Sequence, residues 1–322
     1  MFLNKSIAVI VPAFNEENLI GRTIESMPDF VDCIVVVNDC SKDRTAEIVQ
    51  SYQDKCKKKL VLINHEKNQG VGGARATGYQ WAKSNNIDIV ASMDGDSQMD
   101  PNDLQSFVEP IAKGWTDFAK GNRLFTGEAW KVIPRNRYMG NAILSLLTKV
   151  ASGYWHVADS QSGYSAFNKK VLHTIEWDSM YKKYGQPNDL LVRLNVYGFK
   201  VIDVPIKPIY NVGEVSGMHV RKVVFTLSYL LLKLFLWRLK EKYIIRDFHP
   251  LVFFYGLGFL LVTLAFPLAI RLAYYSLFLN QTRGMNVMAF LFTSVTGLQC
   301  LFFAMWFDMY SNRDLRGKSS QD

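Results

Sequence analysis

Pro250 to Ile270 is a run of 21 residues and Gly284 to Phe307 a run of 24, and neither contains a formal charge. Wound as helix at about 1.5 Å per residue, each reaches about 30 Å or more, the thickness of the hydrocarbon layer of a bilayer. Soluble cores seldom use uncharged stretches of that length, so the pair reads as two transmembrane helices, at about 250–271 and 285–307. Pro267, Gly256 and Gly258 lie inside the first run and are tolerated in membrane helices. Lys233, Arg238, Lys240, Lys242 and Arg246 precede the first run and Arg313, Arg316 and Lys318 follow the second, against Arg271 and Arg283 between them. The positive-inside rule then puts both termini of a multi-pass membrane protein in the cytoplasm, with a short loop on the far side. The N-terminus becomes strand-like within a few residues and meets Pro12, so no cleavable signal is expected and membrane attachment is C-terminal.

The first hundred residues have a different rhythm. Strand patterns at Ser6 to Val11, Asp32 to Val37, Lys59 to Asn64 and Ile87 to Met93 alternate with helical patterns at Glu17 to Met27, Thr45 to Tyr52 and Val71 to Ser84. Such alternation specifies an α/β domain with a mainly parallel sheet whose strand ends share one ligand-binding edge. Lys200 to Ile206 reads as a further strand at the sheet border. Residues 218–248 are rich in aromatic residues and leucine and flanked by basic residues, the pattern of helices lying in a membrane interface. The expected organisation is a domain over 1–217, interfacial helices over 218–248, the hairpin over 249–311 and a cytoplasmic tail over 312–322, disordered from Gly317. The net charge of +8 suits an anionic membrane face or anionic substrates, and no nucleic-acid-binding module is recognisable. Cys33, Cys40, Cys56 and Cys300 have no spacing for zinc or a disulfide framework, so reduced thiols are expected.

Chemistry concentrates at the strand ends. Ser92-Met93-Asp94-Gly95-Asp96-Ser97-Gln98 follows the apolar run at 87–91 and offers two carboxylates and a carboxamide, oxygen ligands that hard divalent cations prefer. Pro12-Ala13-Phe14-Asn15-Glu16-Glu17 ends the first strand and Asn38-Asp39-Cys40-Ser41 the second, where acceptors and small residues suit a base and a ribose. Asn68-Gln69-Gly70-Val71-Gly72-Gly73-Ala74-Arg75 opens the third helix. The five histidines form no ligand-like cluster and read as structural or surface residues.

In this order the motifs resemble the family 2 glycosyltransferases of the GT-A fold, over roughly residues 6–217. Within that family the chain looks most like the polyprenyl-phosphate glycosyltransferases, the group of the dolichol-phosphate mannose, glucose and N-acetylglucosamine synthases. The narrower likeness rests on Asp94, Asp96 and Gln98, on Gly121-Asn122-Arg123, on Pro134-Arg135-Asn136-Arg137, on Asp159-Ser160-Gln161-Ser162-Gly163-Tyr164 and on the C-terminal hairpin. The resemblance implies that Pro12, Phe14, Glu16, Asp39, Asp94 and Gly95 hold a nucleotide-sugar, and that Asp94, Asp96 and Gln98 hold Mg²⁺ or Mn²⁺ with the diphosphate. It implies further that Arg123, Arg137, Arg135 and Ser162 face the acceptor phosphate. Asp94, Asp96, Arg123, Arg137 and Asp189 form the implied catalytic set, with Asp159 orienting the Ser162-Gly163 turn.

The implied reaction moves a hexose or N-acetylhexosamine with inversion onto polyprenyl or dolichyl phosphate at the cytoplasmic face, supplying lipid-linked sugar for glycosylation. Negative charge growing on the departing diphosphate explains the cation and Arg123. An acceptor phosphate is already anionic and needs positioning by arginine more than deprotonation. Gly213-Glu214-Val215-Ser216 lacks the arginine that mannose synthases often carry just before it, which favours a UDP-sugar over GDP-mannose. Two alternatives stand beside this reading: transfer to a glycan hydroxyl, with Asp189 as base, and a catalytically silent membrane subunit that regulates a partner. The pattern is compatible with a homo-oligomer.

Overall fold

Alternating apolar residues on adjacent strands give the sheet two oily faces, and both are covered. Val9, Val11, Ile34 and Val36 join one core with Leu104 and Phe107, while Ala8, Ile10, Val35 and Val37 join the other with Tyr79, Phe167 and Trp177. The computed structural model describes residues 2–124, 135–207, 220–279, 281 and 284–318. They fall into two units, Met1–Phe235 with Asp314–Asp322, and Leu236–Arg313.

In the first unit the strands are β1 (Ile7–Ala13), β2 (Cys33–Asn38), β3 (Lys59–Asn64), β4 (Ile89–Ser92), β5 (Phe118–Asn122), β6 (Ser165–Asn168) and β7 (Val201–Pro205), in the spatial order β3-β2-β1-β4-β6-β5-β7. Helices α1 (Ile20–Glu25), α2 (Thr45–Gln53), α3 (Val71–Ser84) and α4 (Leu104–Ala112) alternate with the early strands. Next come α5 (Arg135–Ser152), α6 (Lys169–Thr174), α7 (Gln186–Val196) and α8 (Val220–Lys240), whose last turns belong to the second unit. The border strand expected near residue 200 is β7. The sheet is mainly parallel as expected, except that β6 runs antiparallel to both β4 and β5. Its start, Ser165, lies opposite Ser92 at the end of β4, so the turn preceding it is delivered to the ligand-binding edge.

The free side of β7 is capped by the chain's own end. Leu315 packs against the core, Arg316 bridges Val201 in parallel, Gly317 N donates to Val201 O at 3.0 Å and Lys318 N donates to Trp115 O at 3.2 Å. The disorder expected from Gly317 therefore does not hold for Gly317 and Lys318, whose amides are hydrogen-bonded to Val201 and Trp115; residues 319–322 lie outside the described residues. A Cβ at Gly317 would come within 2.6 Å of Thr116 Oγ1, so only glycine lets the tail approach this closely.

In the second unit α9 (Leu251–Phe278) pairs with α10 (Gly284–Ser311), each long and apolar enough to cross a membrane. Only 22 % and 17 % of their apolar windows are buried, so neither is an ordinary core helix. The helices meet at small residues: the Cα of Gly258 lies against Leu301 and that of Gly297 against Leu261 and Val262. The first helix continues past Arg271, whose guanidinium stands 5.8 Å from the Tyr275 ring centroid. Near the other end of the pair Arg238 makes a two-bond ion pair with Asp308 at 2.8 and 3.0 Å, both fully buried. Tyr243 Oη donates to Asp308 at 2.6 Å, and Lys242 Nζ to Asn312 Oδ1 at 2.6 Å. Asp308 thus has the multiple donors that a buried carboxylate requires.

Helix α8 is apolar on both sides. Leu227, Leu231 and Leu234 are buried, whereas Phe225, Tyr229 and Leu232 are exposed one or two turns apart. Helix α5 likewise exposes Ile143, Leu146 and Leu147. Exposed apolar stripes of this kind mark a surface made for something other than water.

Helix α3 rests on β1 through Gly78, where a Cβ would fall 2.2 Å from Ile10 Cγ2. Gly78→Val should therefore overpack the centre of the first unit by about 1–3 kcal/mol. Denaturant unfolding monitored on the first unit checks this, and unchanged stability would contradict the packing.

Candidate active site

Strand order reverses between β1 and β4, which opens a crevice beyond their carboxyl ends, the usual ligand position in open α/β sheets. Two loops wall it on the β1–β2 side and are laced together. Asn15 N donates to Ser41 Oγ at 2.9 Å, Lys42 N to Asn15 Oδ1 at 2.8 Å and Glu16 N to Thr45 Oγ1 at 2.8 Å. Pro12 is buried at the end of β1, while the Phe14 ring is 45 % exposed, an aromatic face available to a flat ligand. Asp39 is buried and fully occupied: it accepts from Gln69 N and Gly70 N at 2.8 Å and faces His65 Nδ1 at 2.7 Å. His65 Nε2 meets Thr77 Oγ1 at 2.9 Å, so this histidine is structural, as expected. The Gly-rich start of α3 spends its first amides on the protein itself, since Gly72 N and Gly73 N both reach Lys182 O.

The loop after β4 crosses close to β1. Gly95 N donates to Pro12 O at 3.2 Å, and a Cβ on Gly95 would press against Pro12 O and Ile20. This brings Asp94 and Asp96 towards Glu16. Burial, then the charges of Asp96, Asp94 and Asp43, push the Glu16 carboxyl from an ordinary 4.5 up to about 7. Asp96 Oδ1 accepts from Gln98 N at 3.1 Å, which fixes the turn carrying the carboxamide. No three His, Cys, Asp or Glu side chains converge on one point among the described residues. The donors nonetheless fit a hard divalent cation: mutually repelling carboxylates at one edge gain from a positive ion, and magnesium commonly takes only one or two carboxylates and completes its shell with substrate phosphates.

Asp94 has a partner that the sequence analysis left without a role. Arg75, buried in α3, places Nη2 2.5 Å from Asp94 Oδ1 and Nη1 3.2 Å from Gln186 Oε1 in α7. The Ser162-Gly163 turn closes over this pair: a Cβ on Gly163 would lie 2.1 Å from Arg75 Nη2 and 3.0 Å from Asp94 Oδ2. A side chain there would displace one of the two partners, and the backbone torsion at Gly163 makes no demand of its own.

Arg123, just past β5, forms a forked pair with the fully buried Asp159, with Nε to Oδ2 at 2.7 Å and Nη2 to Oδ1 at 3.1 Å. Asp159 also accepts from Gln161 N at 3.1 Å, so it orients both the turn and the arginine. Lys120 Nζ donates to Ser162 O from inside the protein, and burial pulls that ammonium down to about 8 against the opposing charges of Asp159 and Asp203. Ser162 itself is buried. Asp189 is buried in the first turn of α7 and accepts from Tyr181 N and Arg193 Nε, each at 2.8 Å. Arg135 and Arg137 fall in the first turn of α5 with side chains outside the described residues, as does the segment Gly213 to Ser216. Arg75, Lys120 and Gln186 escaped sequence reasoning because their partners lie far along the chain; Arg75 ending the Gly-rich motif was the one available signal.

The sequence matches the glycosyl transferase family 2 profile over residues 8–176. A UDP-N-acetylglucosamine–dolichyl-phosphate N-acetylglucosaminyltransferase of Methanococcus voltae is 31 % identical over 243 residues, covering 72 % of this chain and 96 % of that protein. A polyprenol monophosphomannose synthase of Mycolicibacterium smegmatis is 26 % identical over 228 residues, 68 % of this chain and 84 % of the relative. In structure, the chain resembles glucosyl-3-phosphoglycerate synthase from Mycobacterium tuberculosis, solved with Mn²⁺, UDP and glucosyl-3-phosphoglycerate, with a TM-score of 0.53 at 19 % identity over 73 % of this chain and 80 % of that one. That likeness establishes the GT-A fold.

The raised Glu16 pKa has a measurable consequence. The folded protein keeps a proton on Glu16 that the unfolded chain releases near 4.5, so the associated stability is present at low pH and lost as pH rises to about 7. In cation-free buffer the melting temperature should fall between about pH 5 and about pH 7.5 more steeply for the native chain than for Glu16→Gln. Parallel curves would refute the raised Glu16 pKa.

Proposed function

The chain belongs to the family 2 glycosyltransferases, within the polyprenyl-phosphate group, and from that premise we propose that it transfers a sugar from a UDP-sugar to a polyprenyl or dolichyl phosphate with inversion at the anomeric carbon. One observation carries the reading: the loop bearing Asp94 and Asp96 opens on the crevice where strand order reverses, in a chain that also bears exposed apolar helix faces and two apolar helices. The relative from Methanococcus voltae makes UDP-N-acetylglucosamine the first donor to try.

In this reading Phe14 and the loops after β1 and β2 hold the nucleoside. Asp94, Asp96 and Gln98 would hold Mg²⁺ or Mn²⁺, which when bound supplies positive charge to the departing diphosphate. Arg123, kept rigid by Asp159, faces the phosphates, and Arg137 with Arg135 neutralises the acceptor. A long isoprenoid leaves the bilayer only at about 0.8 kcal/mol per methylene, so the enzyme works at the membrane. The exposed faces of α5 and α8 suit that interface, and α9 and α10 suit a hairpin anchor. Chain connectivity supports both termini on one side: the chain leaves the first unit after Phe235 and rejoins it at Asp314, so the intervening crossings are even in number. The basic residues outside the hairpin make that side cytoplasmic.

Asp189 bears on the hydroxyl alternative. Both of its oxygens are occupied, an arrangement suited to holding the 181–189 segment more than to taking a proton.

Mass spectrometry of lipid products, with purified protein, UDP-N-acetylglucosamine, polyprenyl phosphate and Mn²⁺, should detect the glycosyl-phospholipid. Asp96→Ala or chelation should lower its formation by about 10²-fold or more; full activity in both would sink the reading. Asp189→Asn should retain turnover within about tenfold, and a folded variant losing about 10²-fold would instead favour a base acting on a hydroxyl.

A further inference from the structure

Arg75 is held from two sides, by Asp94 and by Gln186. Its helix is anchored by Gly72 N and Gly73 N on Lys182 O and seated on β1 at Gly78. The guanidinium lies between Asp94, Gln186 and the backbone of Gly163, and is 3 % exposed. A guanidinium stays charged at any physiological pH. Asp94, whose side chain is 28 % exposed, stays partly open to solvent while its Oδ1 is paired to a fixed positive charge.

We propose that Arg75 is a positioning residue that fixes the rotamer of Asp94 and withholds part of its charge, so that a divalent cation binds the empty enzyme weakly and is recruited together with a nucleoside diphosphate. This rests on the reading that Asp94 and Asp96 hold the cation. Arg75 repels a cation approaching Asp94, and the two phosphates of a bound nucleotide supply the anionic charge that the ion pair has taken up. Linkage makes the effect reciprocal: whatever factor the nucleotide adds to cation affinity, the cation adds to nucleotide affinity. The arrangement keeps the site from filling with a cation in the absence of donor and makes the cation–donor complex the species captured.

Free Mn²⁺, followed by electron paramagnetic resonance in a titration of the full chain in detergent, tests this with UDP and with GDP as nucleotide probes. Native protein should bind Mn²⁺ at least about tenfold more tightly with a nucleotide than without. Arg75→Met should bind Mn²⁺ several-fold more tightly in the nucleotide-free state and lose most of the nucleotide dependence, while Arg75→Lys, which keeps the charge, should stay close to native. Native protein that binds Mn²⁺ equally well with and without nucleotide overturns the proposal, and does so even if Arg75→Met fails to fold. A folded Arg75→Met with native or weaker nucleotide-free affinity overturns it too. Native protein that takes up no Mn²⁺ under any of these conditions overturns the underlying cation reading, a distinguishable result.

Discussion

A carboxylate taken out of water must find donors or a cation, and that requirement organises the ligand edge of the sheet. Asp39 satisfies it with the amides of Gln69 and Gly70 and with His65, and thereby draws the start of α3 against β2. Asp159 satisfies it with Arg123, and Asp189 with Arg193 and Tyr181 N. Each pairing joins segments distant in sequence or steadies a loop at the crevice. Asp94, paired with Arg75, and Asp96 both remain partly exposed, and Glu16 feels their charge. The edge is thus a frame of buried, satisfied charges around a smaller, partly exposed acidic group that suits a cation.

Reversal of β6 brings loops from two parts of the chain to one edge. Parallel strands β1, β2 and β4 place the loops that suit a nucleotide on one side of the crevice. The antiparallel β6 sends the preceding 159–164 segment to the same edge, beside the end of β5 that carries Arg123. Asp159 and Lys120 then tie that segment down, one through a side chain and the other through a main-chain carbonyl. Rigid placement of donors before substrate arrives is the property that makes such groups effective when charge develops.

Much of this was legible in the residue order. The uninterrupted apolar runs located the two long helices, though both extend beyond the uncharged windows because Arg271 and Asp308 find partners without ending the helix. β1 to β4 followed from apolar strings of strand length. β5 did not, since Phe118-Ala119-Lys120-Gly121-Asn122 carries a cation and a glycine where a strand pattern wants branched residues; Lys120 is tolerated by its bond to Ser162 O. β6 is four residues long with polar ends, too short for periodicity to register. Motif residues such as Asp94, Asp96 and Arg123 could be named from the chain alone. Asp159 and Gly163 stood in a legible motif too, but their meeting with Arg123 and Arg75, and the pairing of Arg75 with Asp94, arise only through folding.

An uncovered strand border is an invitation to pair with another chain, and at β7 Leu315 to Lys318 occupy that border. The border of the first unit is thereby closed by residues that follow the second unit in the chain, so a copy lacking them would offer a bare strand to a neighbour.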